Sequence, residues 1–582
     1  MKIKFEHKLA IIIAFAALPA FAQKDPENIG TEVVNVVKPY TPTISDAFKV
    51  KETPSLDDEE TLKKETIAYN IFSFPVASTF TPAKGKAVGV DKEQQERIYK
   101  NYATLGFGSY AAINAELFIT ENLNDTDYVG GMLRHQSSQG NIKGVDLDDK
   151  FYDTSLDLTY GSRNAGFSWT ADMGYQNQVY NWYGIEEGVL TDAQFDAIDP
   201  AHTFHNFYVG ARLNSKDGFF SEASLKYNRF WDALGSAENR FYVKPKFSFD
   251  VMSTKINTDF VIDYVGGTFE KDYYGINSID FNYIGATSLE YNYINFGVQP
   301  SILYQKDDLS VNFGAGIFYS SGKQNGKSDG KLFVYPAIKA SYKVVGDLMI
   351  FYAGAEGGLR QNSYRDFTNE NPFLSPTLIV APTDNQYDIY AGLKGKLANN
   401  ISYNIRGGYN SEKNKALFMA NAYDVANVNT EGYTYTNSFQ VAYDDLKTLS
   451  FFGELKADFS KSVTFGINGT FNSYTTSIYD EAWNLPAIKL GSSLDVAITQ
   501  KWFAGANVFF VGERKDIFPS DQSVKTLDSY FDANLNVGYK YNERLTAFLK
   551  ANNIANQAYQ KWINYPVQQF QIMLGASYKF DF

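Results

Sequence analysis

The chain is 582 residues long, carries a formal net charge of −13 and contains no Cys, and 16% of its residues are aromatic, with 42 Tyr and 46 Phe. The missing Cys excludes disulfides, thiolate metal sites and cysteine nucleophiles, and the acidic balance argues against nucleic acid as a partner. The length exceeds one ordinary soluble core, which leaves several soluble domains or one very large barrel.

Residues 1–22 read as a secretory signal peptide. Lys2, Lys4 and Lys8 make a basic start, Leu9 to Leu18 is an apolar stretch too short to cross a bilayer as a helix, and Ala20-Phe21-Ala22 is a small-x-small cleavage site. The segment carries three Lys and one Glu, a net +2, so the remainder stands at −15. No later run of 18 apolar residues follows, so no membrane helix is expected.

Residues 23–98 hold Pro26, Pro39, Pro42, Pro54, Pro75 and Pro82, the acidic run Asp57-Asp58-Glu59-Glu60 and the charged stretch DKEQQER at 91–97. This composition predicts an extended periplasmic arm or a partial lumen plug rather than a packed domain.

From Tyr102 onward, alternation dominates. Tyr152, Thr154, Leu156, Leu158 and Tyr160 form one face of 151–160, and Asp153, Ser155, Asp157 and Thr159 form the other. Phe241, Val243, Pro245, Phe247 and Phe249 oppose Tyr242, Lys244, Lys246, Ser248 and Asp250, and the pattern recurs at 401–409, 449–459, 463–471 and 531–539. A period of two with one oily and one charged face places each strand between two environments. Runs of ten or more residues suit a tilted bilayer crossing better than a soluble sandwich.

Tight turns are expected at Asn124-Asp125, Arg163-Asn164, Lys216-Asp217-Gly218, Ser253-Thr254, Asp307-Asp308, Gly346-Asp347, Asn399-Asn400, Ser460-Lys461, Thr499-Gln500 and Asn542-Glu543. Mostly long connections interleave with them, at about 181–202, 265–289, 361–385, 412–432, 475–485, 514–525 and 554–566. Short periplasmic turns opposite long external loops are what an outer-membrane barrel requires. The expected fold is therefore all-β, a transmembrane antiparallel β-barrel over 99–582 with about 22 strands, 16 at the fewest. Pro245, Pro300 and Pro336 share the lipid-side parity of their strands and lie at one level. Proline inside a ladder removes a hydrogen bond, so these three count against the assignment unless the bond is absent for a structural reason.

The last ten residues, MLGASYKFDF, alternate to the end. Ile572, Leu574, Ala576, Tyr578, Phe580 and Phe582 would face lipid, and this strand would close on the first, because lipid leaves no water to satisfy a sheet edge. The tail Met573, Gly575, Tyr578, Phe580 and Phe582 resembles the C-terminal signal read by the barrel-insertion machinery, which that resemblance makes an expected partner alongside membrane lipid. Trp169, Trp502, Tyr160, Phe459 and Tyr578 are expected in an interfacial aromatic girdle, and Trp182, Trp231 and Trp562 in the girdle or in loops.

The segments FQVAYDDLKTLSFFGELKADF (439–459) and LKANNIANQAYQKWINYP (549–566), with the closing strand, resemble the distal barrel of TonB-dependent receptors of Bacteroidota. The likeness covers roughly residues 100–582 and implies a transport barrel. It departs where those receptors carry a folded plug, because only residues 23–98 precede the strand array here. The stretch TEVVNVV (31–37) resembles a TonB box, although an acid followed by valines is common, so TonB stays open as a partner. A plugless barrel leaves two readings: a transport channel, or a membrane subunit of an envelope complex, including a non-conducting accessory subunit of assembly or secretion machinery. In either, 23–98 is the expected contact for a protein partner.

Asp196, Asp199, His202 and His205 fall in one expected loop and could together hold a divalent metal, but an ordinary polar loop explains them as well. Asp146, Asp148 and Asp149 offer oxygen ligands for calcium yet lack the Gly and distal Glu of a calcium loop. SGKQNGKS (321–328) lacks the first Gly of a phosphate loop. No Ser-His-Asp motif stands out, so no enzyme activity, metal or cofactor is expected.

Overall fold

The computed structural model describes residues 98–251, 254–270, 288–324, 327–423 and 431–582. The expected signal segment with Ala20 and Ala22, and the arm 23–98 except for Ile98, lie outside the described residues.

The described chain forms a closed antiparallel sheet of 22 strands. Neighbours in sequence pair in order, and the first strand (Asn101–Gly108) pairs with the last (Gln571–Phe580), so the sheet has no free edge. The closing register sets Leu105 against Ala576 and Gly106 against Gly575. Thr104 and Ser577 share a 3.0 Å hydroxyl hydrogen bond on the lumen side of that seam, and the Lys100 backbone N–H donates to the Asp581 carboxylate at 2.8 Å. The expected strand count and closing strand are both found.

Alternation sorts the side chains as the period of two requires. Leu133, Leu156, Phe296, Val334, Ile389 and Leu574 stand exposed on the outer face, Leu574 at 63%. So wide an apolar belt is untenable in water and suits hydrocarbon. The inner face is charged and paired: Arg134 with Asp157, Arg240 with Asp263, Lys339 with Glu356 and Arg406 with Asp388.

Nine of the ten expected tight turns are present and lie at one end; the tenth, Ser253-Thr254, falls partly outside the described residues. The opposite, external end carries longer connections, but not uniformly: 109–112 and 233–236 are short, and the strands Leu309–Gln324 and Lys327–Val345 are also joined there by a short link. The expected loop 412–432 begins too early. The strand Ile401–Ala420 runs on past a bulge between Glu412 and Lys415, where Asn414 has φ 54°, and its partner Phe439–Ser460 is 22 residues long. A tilted crossing needs roughly 9–11 residues, so these two strands stand well proud of the bilayer.

The three prolines sit where a ladder is already broken. Pairing of the strand Ala237–Val251 with Thr254–Phe269 skips from Val243 to Lys246, and pairing of Leu289–Lys306 with Leu309–Gln324 skips from Val298 to Ser301. Pairing of Lys327–Val345 with Met349–Arg360 begins at Ala337, just after Pro336. In each case the interrupted ladder is the one toward the next strand, and the other ladder continues through the proline. The missing N–H therefore costs no ladder bond.

Candidate functional site: a loop cap across the external mouth

The external connections do not splay outward. They meet across the mouth around a buried core that includes Phe204, Phe230, Phe269, Tyr364, Leu374, Phe418, Phe439, Trp562 and Tyr565. The loop 361–382 is the strut of this cap. Its helix, Tyr364–Glu370, has seven residues, too few to be stable alone. The barrel wall supplies what it lacks.

Ser363 caps the helix by accepting from Asp366 N at 3.0 Å. Glu238, on the inner face of the strand Ala237–Val251, accepts from the backbone N–H of Tyr364 at 2.6 Å and of Arg365 at 3.4 Å, and from the Tyr291 hydroxyl at 2.6 Å. A carboxylate at a helix N-terminus satisfies orphan donors and opposes the helix dipole. Arg240, two residues along the same face, forks onto Asp263 at 3.0 and 2.9 Å and reaches Asp366 at 2.7 Å. The Tyr364 hydroxyl donates to Asp232 at 2.8 Å. Burial against these carboxylates pushes the Tyr364 phenol well above its ordinary pKa.

The far side of the strut is held by packing. The Phe367 and Phe418 rings meet edge to face at 6.0 Å, Leu374 bridges to Phe439, and Phe373 stacks on Tyr565 at 3.7 Å. Two small hairpins, Arg514–Ile517 with Val524–Leu527 and Gln560–Trp562 with Tyr565–Pro566, lock in above it, with Arg514 donating to the carbonyls of Lys561 and Gln560. Asp516 accepts from Ala420 N and Asn484 Nδ2, and burial pushes its pKa up to about 6. Tyr183 donates to the Pro566 carbonyl at 2.9 Å, and Tyr565 to that of Asn437. Together these links join six external loops into one layer.

The structure separates the expected metal set. His202 and His205 lie in the strand Ala201–Ser215, not in a loop, and three residues of separation on a period of two sends them to opposite faces. His202 is buried against Trp182 at 4.3 Å, whereas His205 faces outward, stacks on Trp231 at 5.1 Å and shares a 2.8 Å hydrogen bond with the Tyr175 hydroxyl. Asp199 accepts from Ala201 N at 3.1 Å. Of the calcium candidates, Asp149 ties down its own loop by accepting from Asn141 N and Ile142 N, and Asp148 pairs with Lys150. No cluster of three metal-ligating side chains occurs among the described residues. Residues 321–324 and 327–328 of SGKQNGKS lie in two paired antiparallel strands, and the two between them fall outside the described residues.

Of the aromatic set, Tyr160 and Trp169 (5.4 Å apart), Phe459, Trp502 and Tyr578 all fall at the tight-turn ends of their strands. Trp182 and Trp562 do not belong with them, being buried in the cap. The cap residues were missed by sequence reasoning. Loops have no periodicity, and the one usable signal was a Ser-x-x-Asp helix start at Ser363 just beyond an alternating run.

No family model matches the chain, and no curated protein matches it. Solved structures do match. The FrpB iron transporter of Neisseria meningitidis aligns with a TM-score of 0.64 at 11% identity, over 84% of this chain and 82% of that one. The outer-membrane ferripyoverdine receptor of Pseudomonas aeruginosa, bound to ferripyoverdine, aligns at 0.61 and 13% identity, over 84% and 72%. The ferric-catecholate import receptor Fiu of E. coli K12 aligns at 0.60 and 11% identity, over 84% and 82%. At such identities the likeness is one of fold: the chain has the closed 22-stranded barrel of outer-membrane receptors and transporters.

Proposed function

We propose that this chain is an outer-membrane transport barrel of TonB-dependent-receptor type, without a full plug, whose external mouth is gated by its own loops. The observation that carries this reading is the strut 361–382, latched to the wall through Glu238, Arg240 and Asp232. A barrel of 22 strands encloses a lumen too wide to be filled by wall side chains alone. A cap of interlocked loops closes it from outside, and the arm 23–98 serves from the periplasm as partial plug or as the contact for a protein partner. The aromatic belt Tyr160, Trp169, Phe459, Trp502 and Tyr578 seats the periplasmic rim in lipid, and the tail with Gly575, Tyr578, Phe580 and Phe582 is read by the barrel-insertion machinery. The likeness to transporters and receptors fits a protein that is not an enzyme.

The test is single-channel conductance of the full-length protein in planar bilayers, beside Arg240→Gln and Glu238→Gln. The native barrel is expected to stay closed and the unlatched variants to show frequent large openings. A permanently open native pore defeats the gate. The completeness of the cap also favours a second reading, a non-conducting accessory subunit of an envelope complex. Barrels that remain closed when unlatched, together with a stoichiometric partner retained through 23–98 in mild detergent, would favour it.

A further inference from the structure

On the outer wall, the strands Phe167–Asn181, Ala201–Ser215, Phe220–Asp232 and Ala237–Val251 carry the apolar belt through Met173, Val209 and Phe241, all exposed. Beyond these residues, toward the external end, the same face changes character. Arg229 pairs opposite Phe207, three residues short of the external end of its strand at Asp232. His205 pairs opposite Trp231, four residues from the external end of its own strand at Ala201, and the two rings stack at 5.1 Å. Residues two apart share a face, so Arg229 and Trp231 are neighbours, and the diagonal from Arg229 to His205 is within reach of long side chains. A tilted crossing takes roughly 9–11 residues from the periplasmic turns, which puts this group where hydrocarbon gives way to headgroups in the external leaflet.

The group is a set of donors that lacks an acceptor. Arg229 Nη1 donates to Asn239 Oδ1 at 3.2 Å, an oxygen that also accepts from the Tyr227 hydroxyl at 2.8 Å. The guanidinium makes no other hydrogen bond and no ion pair among the described residues, and the outward, odd-numbered positions of these four strands hold no Asp or Glu. His205 Nδ1 accepts from the Tyr175 hydroxyl at 2.8 Å and lies 3.2 Å from the Asn177 amide nitrogen, which can only donate, so the ring proton sits on Nε2. That N–H has no partner among the described residues. Nor has the Trp231 indole N–H, which, unlike those of Trp182, Trp483 and Trp562, is accessible. Acyl chains would pair none of these donors, and water would pair them without neutralising the charge. A phosphate does both: it takes the two-pronged fork of a guanidinium and has oxygens left for an indole and an imidazole N–H. The anion that membrane chemistry holds at this depth is a lipid phosphate, with its chains running down the belt past Met173 and Val209.

We infer that this patch binds the phosphate headgroup of a membrane lipid in the external leaflet, with the Arg229 guanidinium forked on the phosphate and the His205 Nε2–H and Trp231 indole N–H as further donors. The patch is on the wall and not in the lumen, so its test is independent of whether the barrel conducts.

The experiment titrates the delipidated full-length barrel, in mild detergent, with dimyristoyl phosphatidic acid and counts retained lipid by native mass spectrometry. Dimyristoylglycerol, which has the same chains and no phosphate, and inorganic phosphate are the comparisons. One phosphatidic acid per barrel is expected to be retained at concentrations where the diacylglycerol is not. Arg229→Gln is expected to weaken retention about tenfold. Arg229→Lys, which keeps the charge and loses the fork, should weaken it less, and Lys244→Gln, on the lumen face, should leave it unchanged. His205→Phe, which keeps the stack on Trp231 and loses the Nε2–H, should weaken it about threefold. Heat-modifiability on gels shows that each variant is folded. A second reading uses the native protein alone: the indole N–H resonance of Trp231 shifts on addition of phosphatidic acid and not of diacylglycerol, while those of Trp169 and Trp502 at the periplasmic rim stay in place. Equal retention of the two lipids, undiminished retention in Arg229→Gln, a static Trp231 resonance at saturation, or displacement of bound lipid by inorganic phosphate at equal concentration would each overturn the inference.

Discussion

Gly575 faces Gly106 across the seam that closes the barrel, and the Phe548 ring covers them from the lumen side. A β-carbon on Gly575 would lie 2.3 Å from Phe548 Cζ and 2.5 Å from the Leu105 carbonyl oxygen, whereas one on Gly106 would meet Met573 Sδ at 2.9 Å. The first collision is partly with backbone, and the second is with a flexible side chain that can swing away.

Gly575→Ala is therefore expected to reduce the heat-modifiable barrel in outer-membrane preparations several-fold, and Gly106→Ala to leave most of it. Semi-native gel shifts measure both. Equal losses would mean that the seam does not discriminate backbone from side-chain crowding. A larger loss in Gly575→Ala would also give the tail glycine a packing role separate from its proposed part in the tail signal.

The latch predicts unequal costs within one small network. Tyr364→Phe removes one hydroxyl and leaves Asp232 with the backbone donors of Leu234 and Ser236, so it should cost about 1 kcal/mol. Glu238→Ala orphans the Tyr291 hydroxyl and two helix N–H groups, and should cost about 3 kcal/mol or more. Limited proteolysis within 361–382 reports the difference, with the Glu238 variant cut much faster. Similar rates would show that packing alone, through Phe367 and Phe373, holds the strut.

How much of this was legible beforehand depends on periodicity. The wall was, because a period of two between lipid and lumen marks each strand, and each expected tight turn interrupts it with polar residues. The strand ending at Ala420 was not, because the bulge at Glu412–Lys415 shifts the parity and makes a continuing strand look like a loop. Parity was also the signal that could have separated His202 from His205. The cap was invisible: Tyr183, Phe373 and Tyr565 come together from segments far apart in sequence, and no local pattern marks which loop aromatic will be covered.

Asp516 gives the cap a pH dependence. Burial raises its folded pKa from 3.8 to about 6, with the nearby Arg514 guanidinium opposing in part. Its contribution is then fully present below about pH 4 and is lost as pH rises through about 6, a change of up to roughly 3 kcal/mol. Protease cleavage in the 512–529 loop should accelerate between those values and level off above them. Asp516→Asn should abolish that slope, even if its amide fits poorly against Asn484 and raises cleavage throughout. A variant that keeps the same slope would place the titrating group elsewhere.

The tail offers a way to separate closure from recognition. Removing Phe580 to Phe582 deletes the last ladder pair, Asn101 with Phe580, the Asp581 carboxylate that accepts from Lys100 N, and two aromatic rings. Assembly should fall sharply, and normal levels of heat-modifiable barrel would defeat the claim. Phe580→Ala keeps the backbone ladder and loses only the ring, and Asp581→Ala loses only the contact to Lys100. If the insertion machinery reads the aromatic, Phe580→Ala should resemble the truncation and Asp581→Ala the native protein. If the tail matters only because it closes the sheet, both single variants should assemble nearly normally, since each keeps all eight pairs from Asn101–Phe580 to Gly108–Met573.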